Sequence, residues 1–86
     1  MTESRDTRIR RLRLRSWRRG IKEMDLILGG FADTELAGLD PAMLDAYEAL
    51  MEENDWDLYY WVTGARPVPE AHLAIIGRLR GNSGME

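Results

Sequence analysis

The sequence contains no cysteine, which excludes disulfide stapling, a thiolate metal site and a cysteine nucleophile. It has one histidine, His72. On a helix beside Leu73, that residue reads as a surface or boundary side chain rather than a lone catalytic base. No serine stands in a nucleophile elbow, and there is neither a phosphate loop nor a Gly-x-Gly-x-x-Gly run. Uninterrupted apolar runs, such as Ala74-Ile75-Ile76, last a few residues, against the roughly 20 that cross a bilayer. The most telling absence is of one charge sign: residues 23 to 65 hold eleven acids and not a single base.

The missing bases are at the front of the chain. Residues 1 to 22 carry eight arginines and Lys22 against Glu3 and Asp6, so the net charge of −3 conceals a polarised molecule. A small protein divided in this way reads as a docking surface for another macromolecule rather than as an enzyme pocket. Eighty-six residues make one domain. A domain of this size buries only about 60–65% of the surface its unfolded chain exposes, so its stability is expected to be modest. The N-terminus has arginines but no apolar core or small-residue cleavage site, so it is not a secretory signal. Its early acids, and its lead straight into the domain, argue against a transit peptide. The expectation is a soluble, cytoplasmic protein with no membrane insertion.

Apolar spacing divides the chain into short helices, with residues 7–81 as the domain and residues 1–6 and 82–86 as flexible ends. The first helix spans Thr7 to Arg19, with Ile9 and Leu12 on one side and Leu14 and Trp17 shifted around. Arg11 to Arg15 also alternates with period two, but straight-chain residues favour helix. Ile21, Met24, Ile27, Leu28 and Phe31 mark a second helix whose end Gly29-Gly30 weakens. Asp33 to Leu39 reads as a connector with room for a helical turn. Asp40-Pro41 is an N-cap acid followed by proline at the first helical position. It opens a third helix carrying Met43, Leu44, Tyr47, Leu50 and Met51. Asn54 or Asp55 caps a fourth, with Leu58, Trp61 and Val62 inward. A fifth begins near Pro69-Glu70, turns Leu73, Ile76 and Leu79 inward and stops at Gly81. The predicted fold class is all-α, a compact single-domain bundle of five short helices.

Three features stand out as candidates for function. In Arg19-Gly20-x-x-Glu23, a helical backbone would set Arg19 and Glu23 one turn apart. Such a pair is worth about 0.3–0.5 kcal/mol on a surface, while Gly20 costs roughly 1 kcal/mol inside a helix. Glycine fits better where another backbone passes close by, with arginine and glutamate making directional contacts. The arginine run from Arg8 to Arg19 reads either as a phosphate-binding patch or as solvation and charge balance for the acidic remainder. Side chains this closely spaced on a helix cannot all face inward, so in the cluster Trp56, Tyr59, Tyr60 and Trp61 either Tyr59 or Tyr60 shows a face to solvent. The acids Glu52, Glu53, Asp55 and Asp57 lack the spacing of a calcium loop and read as helix capping and a solvated face. No metal site and no catalytic residue is expected.

With these residues in view, the chain resembles the SdhE-type FAD assembly factors, known in mitochondria as succinate dehydrogenase assembly factor 2. The likeness rests on Arg18-Arg19-Gly20-Ile21-Lys22-Glu23-Met24-Asp25, then Phe31. It continues through Asp55-Trp56-Asp57-Leu58-Tyr59-Tyr60-Trp61, which is similar to the family's Asp-Pro-Asp-Leu-x-x-Trp segment, and covers roughly residues 8 to 80. Trp56 departs from the usual proline, and the arginine run is richer than the family's. The resemblance implies a five-helix maturation factor, not an enzyme. Such a factor binds the flavoprotein subunit of succinate dehydrogenase, or of the related fumarate reductase, and promotes covalent attachment of FAD to a histidine of that subunit. The FAD belongs to the partner, and no cofactor is expected to be tightly bound here. Residue by residue, the resemblance carries partner binding onto Arg18, Arg19, Gly20, Glu23, Asp25 and Asp57. Tyr59 joins them from the aromatic cluster. The alternative is a nucleic-acid-binding or toxin-neutralising module. A small flavin-binding protein ranks behind both, since no phosphate-binding loop is present.

Overall fold

The computed structural model describes residues 3–83 and forms five α-helices with no strand among those residues. They are α1 (Arg5–Ser16), α2 (Lys22–Glu35), α3 (Pro41–Leu50), α4 (Asp55–Thr63) and α5 (Leu73–Ser83). Short 3-10 turns at Leu36–Gly38 and Glu70–His72 extend α2 and lead into α5. Helix α2 packs against α1, α4 and α5, and α5 also packs against α3 and α4, so these two helices carry the centre of the bundle.

The helix starts are written locally. Ser4 caps α1 by accepting from the Thr7 N–H at 3.2 Å, which moves the helix start two residues ahead of the expected Thr7. Asp40 accepts from the Met43 N–H at 2.8 Å, with Pro41 at the first position of α3. Asn54 caps α4 by accepting from the Asp57 N–H at 2.9 Å.

The helix ends differ from expectation. α1 stops at Ser16, so Arg18 to Ile21 lie outside any helix. α2 does not weaken at Gly29-Gly30 but runs on to Glu35, because Phe31, Ala32 and Leu36 beyond the glycines are all buried. α5 continues through Gly81 to Ser83. One glycine costs a helix about 1 kcal/mol, too little to end it where the backbone has no competing turn. Residues 1, 2 and 84–86 of the expected flexible ends lie outside the described residues.

The core is formed by Leu12, Met24, Leu28, Phe31, Leu36, Leu44, Tyr47, Leu50, Met51, Leu58, Trp61, Ile75, Ile76 and Leu79. Tyr47 stacks on Phe31 with ring centroids 5.5 Å apart. Its hydroxyl lies 2.5 Å from Ser16 Oγ, which in turn donates to the Leu12 carbonyl at 2.7 Å. The buried polar pair is thereby satisfied, and burial pushes the Tyr47 phenol up to about 12. The phase of α5 departs from expectation: Ile75, Ile76 and Leu79 point inward while Leu73 is 55% exposed.

Trp17, which follows α1, lies flat against α2 at Gly29. A Cβ added there would stand 2.3 Å from atoms of the indole. Gly29→Ala is therefore expected to expel the Trp17 ring. The lost packing, about 2–3 kcal/mol, outweighs the gain of about 1 kcal/mol in helix propensity. The net result is a destabilisation of about 1–2 kcal/mol, checked by denaturant unfolding, together with a red-shifted tryptophan emission.

Candidate partner-docking site

The segment Arg18 to Glu23 joins α1 to α2 and is held from behind by Arg19. The Arg19 backbone N–H donates to Asp25 Oδ1 at 2.7 Å, so an acid in the first turn of α2 reaches back to the linker. The guanidinium turns into the molecule. Its Nε donates to Asp55 Oδ1 at 2.8 Å, and its two terminal nitrogens donate to the Met51 carbonyl at 2.7 Å and the Glu53 carbonyl at 2.5 Å. These carbonyls belong to the turn after α3, where a helix leaves acceptors unsatisfied and favours a cation. Asp55 opens α4. One planar fork thus ties the α1–α2 linker to the α3–α4 turn. Both side chains of the ion pair are largely buried, at 11% and 18% exposure.

This arrangement corrects the helical Arg19–Glu23 pair. No helix runs from Arg19 to Glu23, and Arg19 points inward to Asp55 instead. Gly20 adopts φ +111°, a left-handed conformation that strains any L side chain, and it is exposed. An added Cβ would have only ordinary contact with Asp55 Oδ2, at 3.5 Å. The backbone angle, not crowding inside the fold, is therefore what demands glycine within the chain. Arg18 and Glu23 are exposed, and neither side chain has a hydrogen bond or ion pair with another described residue. Of the expected docking residues, Arg18, Gly20 and Glu23 face solvent. Arg19 and Asp25 are engaged within the chain and order the loop.

Asp57 and Tyr59 sit on α4 beside Asp55. Asp57 accepts from Asn54 Nδ2 at 2.8 Å, so its carboxylate supports the helix cap. Trp56 is 58% exposed and forms a mutually packed aromatic face with Tyr59 and Tyr60 at centroid distances of 6.2–6.4 Å. Both tyrosines are half-buried, and the Arg66 guanidinium lies 4.4 Å over the Tyr60 ring.

The arginine run is mostly engaged inside the fold. Arg8 pairs with Asp45 and Glu48, each at 2.7 Å, and Arg11 with Glu48 at 2.8 Å and Glu3 at 2.9 Å. Arg15 pairs with Glu52 at 3.2 Å and Arg13 with Asp33 at 3.4 Å. Arg5 donates to the Ala37 and Leu39 carbonyls. The polarised sequence is therefore largely neutralised by folding α1 onto the acidic helices. Arg11, then Arg8, hold the Glu48 carboxyl below its ordinary range through hydrogen bonds.

The α3–α4 acids likewise have separate partners: Glu52 has Arg15, Glu53 has His72, Asp55 has Arg19 and Asp57 has Asn54. No group of three or more metal-ligating side chains is gathered among the described residues. His72 corrects another expectation. It is buried, packed against Trp61 with the rings tilted at 38° and centroids 5.5 Å apart, and its Nε2 lies 2.9 Å from Glu53 Oε2. Sequence reading missed this pair and the Arg19 acceptors, which lie nineteen to thirty-six positions away along the chain.

The fold is that of a small all-α module that presents an exposed glycine loop ordered from within. Comparison with known proteins makes the class specific. Residues 10–82 match the family model Sdh5, described as flavinator of succinate dehydrogenase, and the chain belongs to that family. Proteins named succinate dehydrogenase assembly factor 2, mitochondrial, are similar to it. The one from Candida glabrata is 48% identical over 73 residues, covering 81% of this chain and 48% of the relative. Those from Mycosarcoma maydis and Schizosaccharomyces pombe are 44% and 41% identical over 68 residues, covering 79% of this chain and 29% and 49% of the relatives. The chain thus spans about half, or less, of the length of these curated relatives. Their names also overturn the cytoplasmic expectation, since they are mitochondrial proteins. Composition and the lack of a long apolar run do not encode a compartment.

Two outcomes are expected of the isolated chain. Arg19→Ala leaves Asp55 and two helix-end carbonyls without their donor, and should cost on the order of 3 kcal/mol in denaturant unfolding. Arg19→Lys should recover only part, because a point charge cannot span three acceptors. Glu48 behaves as a carboxylate whose folded-state pKa is depressed. Its contribution is fully present above the ordinary value of 4.5 and is lost as pH falls through the lowered one. Thermal midpoints measured between about pH 5 and pH 3 should therefore fall more steeply for the parent chain than for Glu48→Gln.

Proposed function

We propose that this chain binds the flavoprotein subunit of succinate dehydrogenase and promotes covalent attachment of FAD to a histidine of that subunit. The observation that carries this reading is the loop at Arg18–Glu23. Its glycine is exposed at a positive φ, its arginine is locked inward, and its glutamate is unpaired among the described residues, in a chain of the flavinator family. A surface whose backbone is held before the partner arrives loses little freedom on binding.

The chain supplies no nucleophile in this reading. The client holds both the FAD and the acceptor histidine, and the bond forms within the client. The task left to the assembly factor is to hold the client so that these groups meet, which lowers the barrier through orientation. Gly20 leaves the loop flat enough for another backbone to approach. Glu23 and Arg18 make directional charged contacts across the interface. The Trp56–Tyr59–Tyr60 face extends the same surface beyond Asp55 with rigid, amphipathic rings.

The test is acid-stable, protein-bound flavin fluorescence of the flavoprotein subunit in cells lacking this chain and in cells given variants. The parent chain should restore it. Glu23→Ala should reduce attachment at least about tenfold, the loss expected from about 1.4 kcal/mol of binding. Its thermal midpoint should not change, because the side chain is exposed. Gly20→Ala tests backbone strain, about 1–3 kcal/mol of stability. Gly20→Glu adds bulk at the interface and should lose attachment beyond what strain explains. Normal flavin loading in cells without the chain would refute the proposal.

A further inference from the structure

Trp17 caps the C-terminal end of α1 at the surface of the bundle. It is 41% exposed, yet it is not loose. One face of the indole rests where Gly29 leaves room, and its Nε1 donates to Asp33 Oδ1 at 3.3 Å. A glycine inside a helix has thus been used to seat a ring that remains half in solvent. Beside it runs an open groove of about 640 Å³, lined by Leu14 and Trp17 and bordered by Arg10, Arg13 and Asp33. Leu14 is 54% exposed. The buried side of α1 is carried by Leu12 and Ser16, so Leu14 is not there to fill the core.

The rim of this groove is basic. Arg10 has no side-chain hydrogen bond or ion pair with another described residue, and Arg13 reaches Asp33 only at 3.4 Å. An immobilised tryptophan beside an exposed leucine, ringed by guanidinium groups, is the composition of an interface anchor for an acidic partner. A second copy of this chain fits less well, because its acids Asp45, Glu48 and Glu52 are already held by its own arginines and its unpaired Glu23 stands in the loop assigned to the client. Nucleic acid would meet Arg10 but offers no aliphatic side chain for Leu14. The groove also adjoins the docking loop, since Trp17 directly precedes Arg18 and Arg19.

We propose that this groove seats an acidic segment of the flavoprotein client, with an apolar side chain of that segment between Leu14 and Trp17 and its carboxylates on Arg10 and Arg13. The client is then gripped at two adjoining places, the groove and the Gly20 loop. The identity of the client rests on the function proposed above; the chemistry of the segment rests on the groove.

The experiment uses the full chain and the purified flavoprotein subunit of succinate dehydrogenase. A photo-crosslinking benzoylphenylalanine is placed at Leu14 in one sample and at the exposed Lys22 in another, and captured peptides are sequenced. Both positions should capture the subunit, and the peptide captured at 14 should combine acids with an apolar residue. Affinity should fall about tenfold for Arg10→Glu and only a few-fold for Arg10→Gln, with the difference shrinking in high salt. Leu14→Glu should weaken binding more than Leu14→Lys, because lysine keeps the match to an acidic partner. All four substitutions are at exposed positions, and circular dichroism melts check that they fold. Capture at 22 but not at 14 would overturn the groove assignment while leaving the client assignment standing. So would capture at 14 of a second copy or of nucleic acid, or equal losses for the two Leu14 variants. If the parent chain fails to bind the subunit at all, both assignments fall.

Discussion

The Arg19 guanidinium is the contact on which the rest of this structure depends. A single planar cation meets one carboxylate and two main-chain carbonyls, and its own backbone N–H is taken by Asp25. Through those bonds, the linker that carries Gly20 is fastened to the C-terminal turn of α3 and the first residue of α4. Each acceptor would be left unsatisfied without it, and unmade bonds of this kind cost more than made ones contribute. The same turn is fixed from the other side by His72, which meets the Glu53 carboxylate from the 3-10 turn before α5. The Arg18–Glu23 loop is therefore tied down at three helix junctions that converge beneath it.

Electrostatics and packing have been combined economically on α1. Its arginines neutralise acids on α3 and at Asp33, and its one deeply buried aliphatic, Leu12, enters the core beside Tyr47 and Phe31. These ion pairs are partly exposed, so each adds little stability by itself. Their collective effect is to choose which face of α1 turns inward. That choice leaves Leu14 and Trp17 outward, next to the loop.

Much of the fold could be read along the chain. Asp40-Pro41 and Asn54 announce helix starts because a cap is a contact between residues three apart, and the 3.6-residue spacing in α3 exposes its apolar face directly. The family likeness drew on the same adjacency, since Arg18 to Asp25 and Asp55 to Trp61 are contiguous strings. Helix ends were read less well, as at Gly29 and Gly81, because whether a glycine breaks a helix depends on what packs beyond it. The inward side of α5 was misread for a related reason. Leu73, Ile76 and Leu79 satisfy a helical repeat, but contact with α2, α3 and α4 selects His72, Ile75, Ile76 and Leu79 instead.

The sequence by itself determined the helical class, the starts of α3 and α4, the polarised charge and the glycine-centred motif, because each is a property of neighbours within one or two turns. Only the tertiary structure decided what the motif's charges do. Arg19 and Glu23 are close in sequence, yet the positive φ at Gly20 and the acceptors thirty-two to thirty-six residues away send the arginine inward and leave the glutamate in solvent. Pairing between distant residues is set by how helices pack, and no local pattern records it.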